Sequence, residues 1–300
     1  MPVRPFHRAD RDQVTRLVNA HIGAVVPGIS VSVQGLLSQL ERNPGEYVVD
    51  PWVTDRRTLV AERDGRIVAA AHLLRYGADE SVGEHYRDTG EIDWLLCWPD
   101  ATAAGAELTT ACLAQLAAWR VRRSYAGGGL PAPGVYGVPA QWPHIRDLLG
   151  QAGFTGGAST ETVYLARVAD LPRAEPVSGR VAVRTVGVNG TRLTAVAGDT
   201  TLGYIEIDTN LETANRMSRT GDWADIGNLH VEPAHRRRGV GTWLLGQAAE
   251  WLALAGVTRL LDYADVTEDG YAAFLVARGF RVLTTTVRGL STGSITRAAE

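Results

Sequence analysis

The feature that most constrains this fold is that the chain repeats itself. Leu59, Glu91-Ile92, Pro99 and Gly105 are matched by Leu193, Asp225-Ile226, Pro233 and Gly239, all at the offset that separates Pro99 from Pro233. Further on the offset shortens, and Gly153-Phe154 is matched by Gly279-Phe280. A fixed offset held over about fifty residues implies two copies of one structural plan. Three hundred residues are enough for two domains that each bury a core. The segment from Pro172 to Gly179 is polar and carries two prolines, so it reads as a linker. The expected organisation is a first domain over 1–170, a linker over 171–179 and a second domain over 180–300.

Each copy mixes strand and helix signals, which places the chain in the α/β (α+β) class, with mixed twisted sheets flanked by helices. The first copy opens with a strand at Val3 to Pro5 and a helix from a cap near Asp10 to about Val25. A second helix is expected from Val31 to about Arg42, where Asn43-Pro44-Gly45 breaks it. Thr58 to Arg63 and Arg66 to Leu74 read as a hairpin around Asp64-Gly65, a type I′ turn signal. A strand from Ile92 to Trp98 and a helix from Glu107 to Arg120 follow. After a glycine-proline loop come a strand at Val135 to Val138, a helix from Pro143 to Gly153 and a strand from Glu161 to Val168. The second copy lacks the first two helices, since only four residues, Gly187 to Gly190, separate strands Val181 to Val186 and Thr191 to Ala197.

The two copies differ most where the chemistry is expected. In the second, a strand from Ile226 to Val231 is stopped by Pro233 and runs through Arg236 to Gly241 into a helix. That helix is marked by Leu244, Leu245, Ala248, Ala249 and Leu252 at helical spacing and ends at Gly256. The first amides of a helix lack intrahelical partners and the macrodipole is positive there, so a glycine loop at that point suits an anion. The first copy has Pro99-Asp-Ala-Thr-Ala-Ala-Gly105-Ala-Glu107 instead. It has lost the arginines and the second glycine, and Glu107 is expected to set a carboxylate on the helix N-terminus and repel an anion.

Composition excludes several functions. All 30 basic residues are arginine, and without lysine the chain has neither a Walker A loop nor a pyridoxal Schiff base. A net charge of −3 argues against nucleic-acid binding by charge. No stretch reads as a membrane span or a leader, giving the expectation of a soluble cytoplasmic protein with no membrane partner, monomeric or homodimeric. Cys97 and Cys112 read as buried free thiols. A dinucleotide-binding loop fails on spacing, because Leu244 stands where a third glycine or alanine belongs.

With these residues in place, the second half resembles the GNAT (GCN5-related N-acetyltransferase) superfamily. Arg236-x-x-Gly239-x-Gly241 follows a strand reading Leu229-His230-Val231-x-Pro233 and precedes a helix ending in Gly279-Phe280. The repeat carries the resemblance, in degenerate form, over the first half. It implies acetyl-CoA as co-substrate, no metal, and direct attack of an amine on the thioester. The pyrophosphate would lie on the loop and helix start formed by Arg236, Arg237, Arg238, Gly239, Val240, Gly241 and Thr242. The pantetheine arm would pair with the backbone of Leu229, His230 and Val231, with the Val231 amide polarising the thioester carbonyl.

The resemblance also suggests catalytic residues. Asp225, six residues before Val231, stands where histone-type members place a glutamate base; Glu206 and His230 are lesser candidates. The family's tyrosine acid, four residues before the Gly-Phe pair, is here Leu275, and the asparagine common at the start of this helix is Glu268. Tyr271, one turn earlier than Leu275, is the candidate acid. Because the two missing helices usually wall the acceptor site, the first domain is expected to be a non-catalytic lid. The expected function is transfer of an acetyl or short acyl group to the amine of a small-molecule acceptor. The alternative is a catalytically silent acyl-CoA-binding sensor or interaction protein.

Overall fold

A computed structural model describes residues 2–41, 51–127, 134–187, 190–209 and 222–292, without the side chains at 157 and 158. The chain divides into two compact units. Unit 1 takes the described residues of Met1–Thr160 and Thr286–Glu300; unit 2 takes those of Glu161–Leu211 and Thr220–Thr285.

Unit 1 begins with β1 (Val3–Pro5), α1 (Arg11–Val25), α2 (Val33–Leu40), β2 (Val53–Arg63) and β3 (Arg66–Tyr76). Ser32 caps α2 by accepting from the Gly35 amide at 3.0 Å. The expected Asn43-Pro44-Gly45 break and most of the glycine-proline loop lie outside the described residues. The β2–β3 hairpin turns at Asp64 and Gly65, with φ of 52° and 74°, the left-handed pair a type I′ turn needs. β4 (Thr89–Cys97), α3 (Thr102–Ala118), β5 (Arg123–Ala126), β6 (Val138–Pro139) and α4 (Pro143–Gln151) follow. Then β7 (Thr155–Arg167) runs across the division into unit 2. Central β3 is buried at nearly every position, from Ile67 to Leu74. Such a continuous apolar run is what a strand covered on both faces requires, and α1 and α3 both pack on it.

Three expectations change in unit 1. The short parallel strand β5 had no recognised signal, and the expected strand at Val135 to Val138 reduces to Val138–Pro139. More consequentially, α3 starts at Thr102, not Glu107, because Pro99–Ala101 form a 3-10 turn that feeds directly into it. No acidic residue lies in the first turn of α3, so Glu107 does not sit on the helix N-terminus.

Unit 2 contains β8 (Arg180–Gly187), β9 (Gly190–Ala197), β10 (Thr200–Asp208), β11 (Trp223–Val231), α5 (Val240–Leu254), β12 (Arg259–Asp265), α6 (Asp269–Ala277) and the start of β13 (Arg281–Thr292). Its sheet runs β7-β12-β11-β10-β9-β8. The pairs are antiparallel except β11–β12, which is parallel. As expected, no helix separates β8 from β9. Leu244, Leu245, Ala248 and Leu252 of α5 pack into a core with Leu193, Ala195, Ile205 and Ile207. β8 alternates half-buried and exposed positions only from Arg180 to Val183, and its second half, through Val186, is exposed.

The residues read as a linker lie along α5. The Ala174 amide donates to Glu250 Oε1 at 3.2 Å, and Trp243 Nε1 donates to the Glu175 carbonyl at 3.1 Å. Gly246 of α5 permits this approach, since a Cβ there would stand 2.6 Å from the Ala174 nitrogen.

Both cysteines are free and buried, and burial pushes each thiol up to about 12. Among the described residues no helix is long and apolar enough to cross a membrane, and no cluster of metal-ligating side chains is present.

Candidate active site

The site grows from the parting of two strands. β11 and β12 pair in parallel from Trp223↔Arg259 to Asp225↔Leu261, where the printed ladder ends. On its other edge β11 stays paired with β10 up to Val231, with a bulge at Gly227 between the Ile226↔Ile207 and Asn228↔Glu206 rungs. The Glu232 amide donates to the Leu202 carbonyl at 3.0 Å, so strand alternation turns the Leu229 and Val231 backbone groups the other way, toward the parted edge. Arg236 takes one of them, its Nε donating to the Val231 carbonyl at 2.9 Å. The Leu229 groups and the Val231 amide remain directed at the gap.

A cleft of about 990 Å³ occupies that gap. One wall is β11 from Ile226 to Val231; the start of α5 forms another; β12 and α6 close it. At the α5 end, Arg237 and Gly239 both take left-handed backbone, with φ of 61° and 76°. Arg237 adopts this at some cost, whereas Gly239 does so freely. The first helical bond runs from the Trp243 amide to the Gly239 carbonyl at 3.0 Å, so the amides of Val240, Gly241 and Thr242 precede the ladder. Gly241 faces Val231 and Phe274, with space for a Cβ at 3.6 Å or more. Leu229, His230, Val231, Arg236, Arg237, Gly239, Val240, Gly241, Thr242 and Tyr271 all line the cleft, and Arg238 does not.

Asp225 is set back from the cleft wall. It is 7% exposed, and Tyr263, which does line the cleft, donates its hydroxyl to Asp225 Oδ2 at 3.1 Å. Glu206 is also buried and off the cleft, held by Arg192 at 2.7 Å. His230 stacks on Tyr204, ring centroids 5.6 Å apart, with Glu232 at 3.5 Å.

Leu275, at the position of the family's tyrosine, is fully buried in the core. Tyr271, a turn earlier, donates its hydroxyl to Asp262 Oδ2 at 2.7 Å. Burial, followed by the charge of Asp262, holds the Tyr271 hydroxyl far above its ordinary range.

Asp262 escaped sequence reasoning. It lines the cleft on β12, is 2% exposed, and its Oδ1 accepts the Tyr263 amide at 2.7 Å. Burial is the main cause that pushes this carboxyl up to about 8; the charges of Asp225 and Glu268 add to it, and the bonds from Tyr271 and the Tyr263 amide oppose it. A polar residue inside the apolar run Leu260-Leu261-Asp262-Tyr263-Ala264 was the available signal.

Comparison with known proteins agrees with this geometry. Residues 166–280 match the Acetyltransferase (GNAT) family profile. No curated protein matches the sequence. Among solved structures, the chain is similar to a tandem GNAT protein from the clavulanic acid biosynthesis pathway, at 17% identity and TM-score 0.61, covering 97% of this chain and 98% of that one. A GCN5-related N-acetyltransferase from Sphaerobacter thermophilus is similar at 17% identity and TM-score 0.60, with 97% and 94% covered. The GCN5-related glucosamine N-acetyltransferase region of a fungal multi-domain GH3 β-N-acetylglucosaminidase gives TM-score 0.63 at 14% identity. The match takes in 97% of this chain but only 38% of that longer protein. Residues 166–280 thus match a GNAT acetyltransferase domain, and as a whole the chain has the fold of the tandem GNAT proteins.

Proposed function

We propose that unit 2 transfers an acetyl or short acyl group from acetyl-CoA to the amine of a small-molecule acceptor. The observation that carries this is the convergence on one cleft of a glycine cradle, an open strand edge and a tyrosine bonded to a buried carboxyl. The amides of Val240, Gly241 and Thr242, beside Arg237, suit a pyrophosphate. The edge of Leu229 and Val231 suits an extended amide-bearing arm, as an added strand would. The donor supplies an activated acyl thioester.

The residues of the cleft then have distinct tasks. The Val231 amide points where a thioester oxygen gaining charge would be stabilised. Asp225 draws the proton from the attacking amine through the Tyr263 hydroxyl, and Tyr271 faces the leaving sulfur as proton donor.

Calorimetry with acetyl-CoA, and CoA release across a panel of small amines, test this reading. Replacing Gly239 and Gly241 together with valine should abolish acetyl-CoA binding by the full chain, at some cost in stability because Gly239 is left-handed, with circular dichroism showing that the variant is still folded. Tight residual binding in that variant, or binding by wild type with no amine-dependent CoA release, overturns the proposal.

A further inference from the structure

Asp262 has no task in that scheme, although it touches the proposed acid. It follows the last β11–β12 rung by one residue, where the strands part, and α6 sets Tyr271 against it in its first turn. Its two oxygens are held from two directions, by the Tyr263 amide and the Tyr271 hydroxyl, both at 2.7 Å. The ionisable groups around it are mostly acidic: Asp225 on β11, Glu268 ahead of α6, and Glu161 on β7 along the same cleft, with Arg278 after α6 as a cation. Tyr164 stands opposite it on β7.

We propose that Asp262 is the group that recharges Tyr271, passing a proton through the tyrosine hydroxyl to the departing thiolate while Asp225 accepts the one released by the amine. This rests on the acyl-transfer reading. At neutral pH the Asp262 carboxyl, pushed up to about 8 chiefly by burial, holds its proton. In that state it donates to the Tyr271 oxygen and turns the tyrosine hydrogen toward the cleft. As the amine nitrogen bonds to the acyl carbon, the carbon–sulfur bond breaks and its electron pair stays on sulfur. Sulfur takes the Tyr271 proton, and Tyr271 takes the proton of Asp262. The amine proton passes through Tyr263 to Asp225, so the two carboxyls together hold one proton before and after the step. The Asp262 carboxylate left behind is the acceptor for the Tyr271 hydroxyl. Release of the Asp225 proton and uptake of one by Asp262 reset the pair.

Asp262 acts through Tyr271, so it is a positioning residue, and the leaving group reads it out. The test compares acetyl-CoA with the acetyl ester of a nitro-substituted aromatic thiol, which departs without protonation. In Asp262→Asn, which keeps a hydrogen bond but has no proton to give, and in Tyr271→Phe, kcat with acetyl-CoA should fall about a hundredfold while the aromatic ester stays within about threefold of wild type. The wild-type kcat should decline as pH rises through about 8, and Asp262→Asn should lack that limb. Equal losses on both esters, or a profile unchanged in Asp262→Asn, overturn the proposal. Carboxyl-carbon NMR titration of the protein without acyl donor is the second readout: the resonance missing from Asp262→Asn should titrate near 8 and shift in Tyr271→Phe. Titration in the ordinary carboxyl range overturns the relay whatever the activity. If no amine releases CoA from wild type, the acyl-transfer reading falls, and the carbon titration still decides the Asp262–Tyr271 pair.

Discussion

Asp262 makes the stability of unit 2 depend on pH in a direction unusual for an acid. Its carboxyl titrates near 3.8 in an unfolded chain and at about 8 in the fold. Because the folded value is raised, the stability this group contributes is complete below 3.8 and is lost as pH rises through 8. Across that window the folded state holds a proton that the unfolded state has released, so the slope is about −1.4 kcal/mol per pH unit. Between pH 5 and 7 the loss is about 3 kcal/mol, a large share of an ordinary domain's stability. Asparagine at this position keeps a carbonyl for the Tyr271 hydroxyl and has nothing to titrate. Asp262→Asn should therefore cost stability at pH 5, leaving one side-chain donor or acceptor imperfectly matched, and gain on wild type steadily toward pH 8. Urea unfolding followed by tryptophan fluorescence, to which buried Trp223 of the same unit contributes, measures the gap between the two proteins. Other titrating groups are common to both and cancel in that difference. A gap that stays constant within about 0.5 kcal/mol from pH 5 to 8 would refute the reasoning, because a buried, proton-holding carboxyl must produce the slope.

Other perturbations address the frame around the cleft. Gly246→Ala puts a Cβ 2.6 Å from the Ala174 nitrogen, a backbone atom with little room to move, and should lower stability by about 1–2 kcal/mol in a thermal melt despite alanine's helix propensity. Arg192→Ala removes the cation bonded to buried Glu206 and should cost about 2–3 kcal/mol, less than a wholly buried pair because Arg192 is about a third exposed. Adding Glu206→Gln should restore most of that loss, which a double-mutant cycle on urea midpoints would register. Leu275→Tyr, which restores the family's tyrosine, overfills the core and should lose about 1–3 kcal/mol in urea unfolding without raising CoA release.

Much of the fold was readable because its punctuation is chemical. Asp64-Gly65, Gly153, Gly256 and Gly279 mark turns or helix ends, and each glycine among them has positive φ. The boundaries that failed are those set by tertiary contact. β5 is four residues long and is a strand because it pairs in parallel with β4 and antiparallel with β13, neither of which leaves a local pattern. The early start of α3 escaped because the match to the glycine loop of the second copy points to a loop here, although Ala103, Ala104 and Ala106 favour a helix and Ala104 and Gly105 are buried in it. In the site, the glycine loop announced itself through local sequence. Asp262 did not, since its meaning arises from Tyr271 on another element and from the strands parting beside it.

The first unit shows which of these features carries the function. Its β4 has a bulge at Asp93, between the Leu73↔Ile92 and His72↔Trp94 rungs, at the position matching Gly227 of β11. Glu91 matches Asp225, is half-buried, and accepts the Tyr76 hydroxyl, and desolvation raises its carboxyl above the ordinary range. Bulge and tyrosine-bound carboxyl are thus present in both units, so neither distinguishes them. The cradle does. Thr102 to Gly105, which correspond to Arg236 to Gly239, form the first turn of α3, whereas Arg236 to Gly239 precede α5 as a loop. Gly105 has changed purpose: a Cβ there would stand 2.5 Å from Leu148 and 3.0 Å from the Cys97 sulfur, so its smallness serves the packing of α3. These four residues change from a loop with a left-handed glycine and three arginines to a helical turn with no cationic side chain, with Ala104 and Gly105 buried. Under the proposed function, acyl-donor binding would separate the copies at that loop, while the carboxyl position is shared by both.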